Sequence, residues 1–393
     1  MTIPQEFTSA HVEASSGDDA FTPYRDFLRS REPYTSILKN NPSMVPPRAG
    51  DELVWGEGRY YDTTVARKHD YWKDKHLPQP TKDIVQLRQD LYKWGFGLIE
   101  EGLSAEQLAV VKGRVTEQAE AERLAGLITD SPALQLVWAL INKGQCFVQC
   151  LEMDPEGVQA GPLIEQLLDE LLGKGWCSFS FLSNIAFAGC HPQMLHQDQT
   201  MIHPWVTPEA PVLVNVVYVL DDVNEVNGGT LMIPGSHKIV SEAGDGGAVG
   251  KLPPAINTEA KAGTVIMMDG RLLHGTGVNR TDKQRIILTN SNVKSWIRTQ
   301  ENWMLTVKPE VLDDASPKLL ARLGFQATAG SNLTEGFGAA GNGRAGDPRG
   351  AIKKFRQAMD AGEMVHVGEL TPELVRANDI TWTHKAVKDA LSE

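Results

Sequence analysis

Apolar positions fall at helical spacing through the first half of the chain and then switch to strand-like runs. Ile84, Leu87, Leu91 and Trp94 are three or four apart, which predicts a helix opened by Thr81-Lys82-Asp83 and running through Trp94. Ser104-Ala105-Glu106-Gln107 has the form of a capping box and predicts a second helix to about Ala125. Two more are expected, one over Pro132 to Lys143 and one over Leu163 to Leu172 after Gly161-Pro162. These helices are expected to buttress a sheet, with their Leu, Val and Trp residues serving as core. From Trp176 the pattern changes. Ser178 to Leu182 and Val212 to Leu220 read as strands, and the second is apolar on both faces, as a central strand is. Gly263 to Asp269 and Arg285 to Asn290 read the same way. The change from helices to antiparallel-looking strands fits a jelly-roll barrel.

Composition narrows the class. A chain of 393 residues with 41% hydrophobic residues can bury a large core. Its formal charge of −12 argues against a nucleic-acid binder, whose expected footprint is a basic patch. No apolar run approaches the length of a membrane span. The amino terminus lacks a basic region followed by an apolar one, so a secretory signal is not expected. Cys146, Cys150, Cys177 and Cys190 form no C-x-x-C pair and read as reduced cytoplasmic thiols. Cys146 and Cys150 are four apart and are expected to share a helix face, too few ligands for zinc.

Three segments are expected. Residues 1–80 form an irregular arm whose aromatics (Trp55, Tyr60, Tyr61, Tyr71, Trp72) pack onto the core in its second half. Residues 81–310 hold the barrel with its helices. Residues 311–393 form an extension. There, Gly336-Phe337-Gly338-Ala339-Ala340-Gly341 matches G-x-G-x-x-G, but polar residues precede it where a dinucleotide site needs a strand. It reads as a loop followed by a helix over Ala351 to Ala361. Glu242 to Pro254 is expected to be a loop over the barrel mouth.

The chemistry lies in His196-Gln197-Asp198, followed by His274 and then Arg285. At a strand end over Met194 to Asp198, residues i and i+2 share a face, so His196 and Asp198 point together and Gln197 away. His274 follows a predicted strand and a short turn. Two imidazoles and a carboxylate can hold a non-haem Fe(II) on one face and leave the other open. A lone His-x-Asp is common; the joint pattern carries the reading. Arg285 opens the next strand, where a guanidinium can grip a carboxylate through two parallel hydrogen bonds. Thr276, two residues after His274, is a candidate helper. Arg280 is the rival cation but falls in a turn. Asn215, the one strongly polar side chain of its strand, is either a buried, hydrogen-bonded asparagine or a contact to co-substrate or substrate.

At these residues the chain resembles the phytanoyl-CoA dioxygenase family of Fe(II)/2-oxoglutarate oxygenases. The likeness runs from about Gly175 to Asn302. It includes Leu195-His196-Gln197-Asp198-Gln199, Leu220-Asp221-Asp222, Asn227-Gly228-Gly229-Thr230, Ile233-Pro234-Gly235-Ser236-His237-Lys238, Asp269-Gly270-Arg271-Leu272-Leu273-His274-Gly275-Thr276-Gly277 and Arg285. Weaker similarity begins near Leu91, at Trp94-Gly95-Phe96-Gly97-Leu98-Ile99. The resemblance implies a double-stranded β-helix, with iron on His196, Asp198 and His274. It implies that Arg285, helped by Thr276, holds the far carboxylate of 2-oxoglutarate. The reaction would use O2, release succinate and CO2, and hydroxylate or otherwise oxidise an unactivated C–H bond of a small molecule. His237 would shape the fold. Related halogenating enzymes lack the carboxylate ligand; Asp198 is present here. The insert from Gln199 to Pro211, with His203 and Trp205, suggests contact with a lipophilic substrate through Gln199, His203 and Trp205. The competing readings are a cupin-like metal enzyme that does not use 2-oxoglutarate and a non-catalytic ligand-binding barrel.

Overall fold

The computed structural model describes residues 70–127, 134–188, 193, 195–202, 210–238, 253, 255–277, 279, 281–325 and 368–378. Expectations for the arm before residue 70, Cys190, His203, Trp205, Arg280, most of the 242–254 loop, the Gly336 motif and the 351–361 helix lie outside these residues.

Strands buried along their whole length form one end of the larger sheet. β1 (Phe96–Ile99), β4 (Leu213–Val219) and β7 (Val265–Asp269) contain only buried residues, so apolar side chains pack on both faces. β7 lies between the other two and is antiparallel to both, with Met268 opposite Phe96 on one side and Asn215 on the other. β2 (Gln135–Val137), β3 (Cys177–Ala186) and β9 (Arg285–Val293) complete the order β1-β7-β4-β9-β3-β2. A second sheet has the order β6-β5-β8, from Ile256–Asn257, Leu231–Met232 and His274–Gly275, with antiparallel pairing throughout.

The chain forms two compact units that interleave along the sequence. One draws on residues 1–103, 130–136 and 184–288, the other on 104–129, 137–183 and 289–393.

In the first unit, α1 (Ile84–Trp94) starts where Asp83 accepts the Val85 N–H at 2.8 Å and stops at Gly95, which takes a left-handed φ of 82°. Asp83 is thus the cap of the predicted helix. Leu87, Leu91 and Trp94 are its buried face. Trp94 joins Phe96, Leu98, Val217, Ile266 and Met268 in one core cluster. Trp72 belongs to the same cluster and meets Trp94 edge-on at 6.2 Å, so this part of the arm packs onto the core as expected.

In the second unit, α2 (Ala105–Leu124) carries the complete capping box. The Ser104 hydroxyl accepts the Gln107 N–H, and the Gln107 amide accepts the Ser104 N–H. The helix expected over 132–143 is not formed. Its described residues make β2 and a 3-10 turn at Leu140–Asn142. Ala139 between them has φ 51°, which ends any right-handed helix, and its N–H is taken by the Glu301 carboxyl from far along the chain. Helix forms instead just beyond, as α3 (Gln145–Glu152), where Cys146 and Cys150 are both buried. Burial pushes the Cys146 thiol up to about 11 and Cys150 higher still, as for packed, inert thiols. α4 follows at Gly161–Leu172. Phe147 of α3 packs edge-on to Phe181 of β3, which is the buttressing expected of these helices. Among the described residues no helix is long and apolar enough to cross a membrane.

Candidate metal centre

His196 and His274 are distant in sequence but directly joined by their backbones. The His196 N–H donates to the His274 carbonyl at 2.9 Å, and the His274 N–H returns the bond at 3.0 Å. Residues that exchange both bonds in an antiparallel pair project side chains to the same face. The imidazole centroids are accordingly 4.6 Å apart. The pairing continues where the Gln193 N–H meets the Thr276 carbonyl at 2.8 Å. On its other side His274 pairs with Met232 of β5.

Asp198 reaches the same place by a different route from the one expected. It starts a 3-10 helix, Asp198–Met201, and does not continue a strand. Gln197 is still extended, at φ −116° and ψ 125°. Its buried side chain donates to the Arg271 carbonyl, so Gln197 is turned away from the two ligand candidates. The Gln199 N–H then bonds the Gly270 carbonyl at 2.9 Å.

One donor atom from each of His196, Asp198 and His274 lies within 4.8 Å of the others, the one such grouping found among the described residues. Asp198 Oδ1 is 3.3 Å from His196 Nε2, and Oδ2 is 3.4 Å from His274 Nε2. The His274 Nδ1 faces the Leu272 carbonyl at 3.0 Å. A carbonyl can only accept, so Nδ1 carries a proton and Nε2 is the nitrogen that faces the cluster and can lend its lone pair to a metal. Burial by itself would raise the Asp198 carboxyl. Interactions with His274 and His196 outweigh it and hold Asp198 well below the usual carboxylate range. Two imidazole nitrogens and an anionic oxygen facing one point fit a divalent cation of the iron type.

The turn that delivers His274 is itself braced. The Asp269 carboxylate takes the Arg271 N–H, its Nε at 2.9 Å and its Nη2 at 2.7 Å, all buried. The Ser236 hydroxyl accepts the Leu273 N–H at 2.9 Å. His237 next to it lies against the Tyr92 carbonyl at 3.2 Å, and burial lowers its pKa. The Pro-Gly-Ser-His segment thus supports this turn.

Arg285 is the first residue of β9 and is 1% exposed. Its Nε and Nη2 donate to the Gly228 carbonyl at 3.1 and 2.7 Å, and Nη1 reaches the Asn184 carbonyl at 3.5 Å. Gly228 has φ 82°, and a Cβ there would sit 2.9 Å from the Gly277 carbonyl oxygen. The Asn227-Gly228-Gly229-Thr230 motif therefore sets the plane of the guanidinium. The Thr276 hydroxyl, also buried, is 3.4 Å from Asn184 Oδ1 and 3.3 Å from Gln193 Oε1.

Asn184 and Gln193 were missed in the sequence reading. The available signal for Asn184 was its amide in a strand otherwise made of apolar residues and serines. Asn215 is fully buried, and its Nδ2 donates to Asp198 Oδ2 at 2.6 Å. Gln199 is also buried, and its Oε1 accepts the Val212 N–H at 3.0 Å, so the side chain ties the two ends of the insert together.

Several known proteins are similar to this chain. A family model for phytanoyl-CoA dioxygenase (PhyH) matches residues 77–287. The chain is 31% identical over 255 residues to "Dioxygenase af480" of Aspergillus fumigatus, covering 62% of this chain and 80% of that protein. It is 31% identical over 151 residues to "Multifunctional dioxygenase ausE" of Emericella nidulans, covering 36% of this chain but only 49% of that protein. Among solved structures, the non-heme alpha-ketoglutarate-dependent epimerase SnoN from nogalamycin biosynthesis aligns with a TM-score of 0.43 and 20% identity, over 54% of this chain and 83% of that chain.

Proposed function

Since the chain belongs to the phytanoyl-CoA dioxygenase family, we propose that it is an Fe(II)/2-oxoglutarate-dependent oxygenase. Its reaction would oxidise an unactivated C–H bond of a small, lipophilic molecule, with release of succinate and CO2. The observation that carries this reading is the convergence of His196, Asp198 and His274 in the same compact unit as the buried Arg285. On this reading the two sheets are the walls of a double-stranded β-helix.

His196, Asp198 and His274 would hold the metal. Iron with 2-oxoglutarate and O2 supplies the oxidising chemistry; the protein supplies position and a dry site. His274 is held by its Leu272 contact in the tautomer that offers Nε2. Arg285 orients the co-substrate. The Gly228 carbonyl takes Nε and Nη2 and the Asn184 carbonyl takes Nη1, which fixes the plane in which the guanidinium would meet a carboxylate. Burial of that cation strengthens its attraction for a dianion. The single proton of the Thr276 hydroxyl lies toward Asn184 Oδ1 and Gln193 Oε1, and Thr276 would help to hold the same carboxylate by turning that proton to it. Of the substrate candidates, His203 and Trp205 are retained. Gln199 would act through the insert that it anchors.

Curated relatives bear dioxygenase names from fungi, which favours a secondary metabolite as substrate. The deciding experiment follows succinate in a substrate screen with purified protein, Fe(II) and 2-oxoglutarate. Substrate-stimulated, iron-dependent succinate is expected. Metal-dependent turnover that consumes no 2-oxoglutarate would favour the cupin-like reading. Absence of metal binding would favour the non-catalytic barrel.

A further inference from the structure

Asn215 stands at the centre of β4 with no exposure, in a strand whose other side chains are Leu, Val and Tyr. A primary amide buried in such a strand is costly unless it is hydrogen-bonded. Its Nδ2 is spent on Asp198 Oδ2 at 2.6 Å, across 17 residues of sequence. The strand leaves the amide little freedom: Asn215 is locked opposite Met268 in the pairing with β7, between Val214 opposite Asp269 and Val216 opposite Met267.

We infer that Asn215 is a positioning residue for the metal centre, which ties down one oxygen of Asp198 so that the carboxylate binds iron through the other oxygen alone. This rests on the oxygenase reading. An aspartate can bind a metal through one oxygen or two. A second oxygen on the metal would take a position that the open face must keep for the co-substrate and O2. A neutral amide suits the task because it fixes the oxygen without neutralising it, as a lysine or arginine would. Partners of metal ligands typically matter 10- to 100-fold in metal affinity or activity. The role also separates Asn215 from the 2-oxoglutarate site, where polarity alone had left it a candidate.

The test uses the full chain, stripped of metal, as wild type and as Asn215→Leu, which fills similar volume without a donor. Thermal melts of the metal-free proteins establish folding. Fe(II) is titrated anaerobically, and Co(II) serves as a spectroscopic probe of the ligand set. The expected result is a roughly 10- to 100-fold weaker metal Kd with an altered Co(II) visible spectrum, while the KM for 2-oxoglutarate, measured at saturating iron, changes little. Should Asn215→Leu fail to fold, Asn215→Ser, whose hydroxyl falls short of Asp198, is read by the same two quantities. Unchanged metal affinity and an unchanged spectrum overturn the inference and leave the oxygenase reading standing. A raised 2-oxoglutarate KM with normal metal binding also overturns it and returns Asn215 to the co-substrate site. A wild-type chain that binds neither metal overturns both.

Discussion

Two polar clusters, one in each unit, solve opposite problems. In the second unit, the Lys143 ammonium lies 2.6 Å from Glu122 Oε1, and both side chains are almost wholly buried. Gln118 donates to the same Glu122 oxygen at 2.9 Å, and Arg114 Nε caps the Lys143 carbonyl at 2.9 Å. There the anion meets a cation within hydrogen-bond distance, and the cluster is complete in itself. In the first unit, Asp198 is flanked by two imidazoles, one of them fixed to present a lone pair. His274 Nδ1 is tied to the Leu272 carbonyl, and Asp198 Oδ2 also accepts from Asn215. Acceptors arranged inward around one point demand a positive ion from outside. A buried charge cluster is therefore judged by where its lone pairs point, more than by how many charges it holds.

The largest effect should come from the inward-facing cluster. His196→Ala or Asp198→Ala should cut turnover about a thousandfold or more, on the order of 4 kcal/mol of barrier, with the melting temperature of the metal-free protein nearly unchanged. Appreciable activity in either variant would remove the ligand assignment. The self-contained cluster should show the reverse profile. Lys143→Met strands a buried carboxylate and should lower the unfolding free energy by about 3–5 kcal/mol in urea, while the metal affinity of the folded protein stays the same. A loss of iron binding there would erase the contrast.

Glu301 sharpens it further. Burial pushes this carboxyl up to about 7, so the folded chain holds a proton that the unfolded chain releases near 4.5, the ordinary glutamate value. Its contribution to stability is fully present below that lower value and is lost as pH rises through about 7. The total is on the order of 3 kcal/mol. Glu301→Gln, which stays neutral, should flatten the fall in urea midpoint between acidic and mildly alkaline pH. An unchanged slope would assign the pH dependence elsewhere. Smallest of the four, Arg285→Lys keeps the charge but loses the fork. It should raise the KM for 2-oxoglutarate about 10- to 100-fold, with metal affinity held. An unchanged KM would mean that another group grips the co-substrate.

What could be read from the chain was what local pattern encodes. The α1 and α2 boundaries follow from Asp83 and Ser104, whose caps act within one turn. The β4 and β7 strands follow from unbroken apolar runs. The candidate triad was legible because each residue sits beside a recognisable element. The fate of residues 134–142 was not legible, because the partner that stabilises Ala139 is Glu301, more than a hundred residues away. Asp198 shows a correct grouping reached through an incorrect local form: a 3-10 start delivers the carboxylate where a strand end was expected. Gln193 was invisible for the same reason as Glu301, and the amide of Asn184 marked it as unusual in its strand without showing what it does. A single polar residue announces its role only when its partner, here Thr276, is known.

The paired backbone bonds between His196 and His274 bear on how the protein would be charged with iron. Two of the three claws of the clasp are held shut by peptide groups, which need no ion to stay in register. Assembly of the chain and acquisition of its metal can thus be separate events, the second a docking into a mould already cast. Such a protein should tolerate repeated emptying by a chelator and refilling, with no intervening refolding.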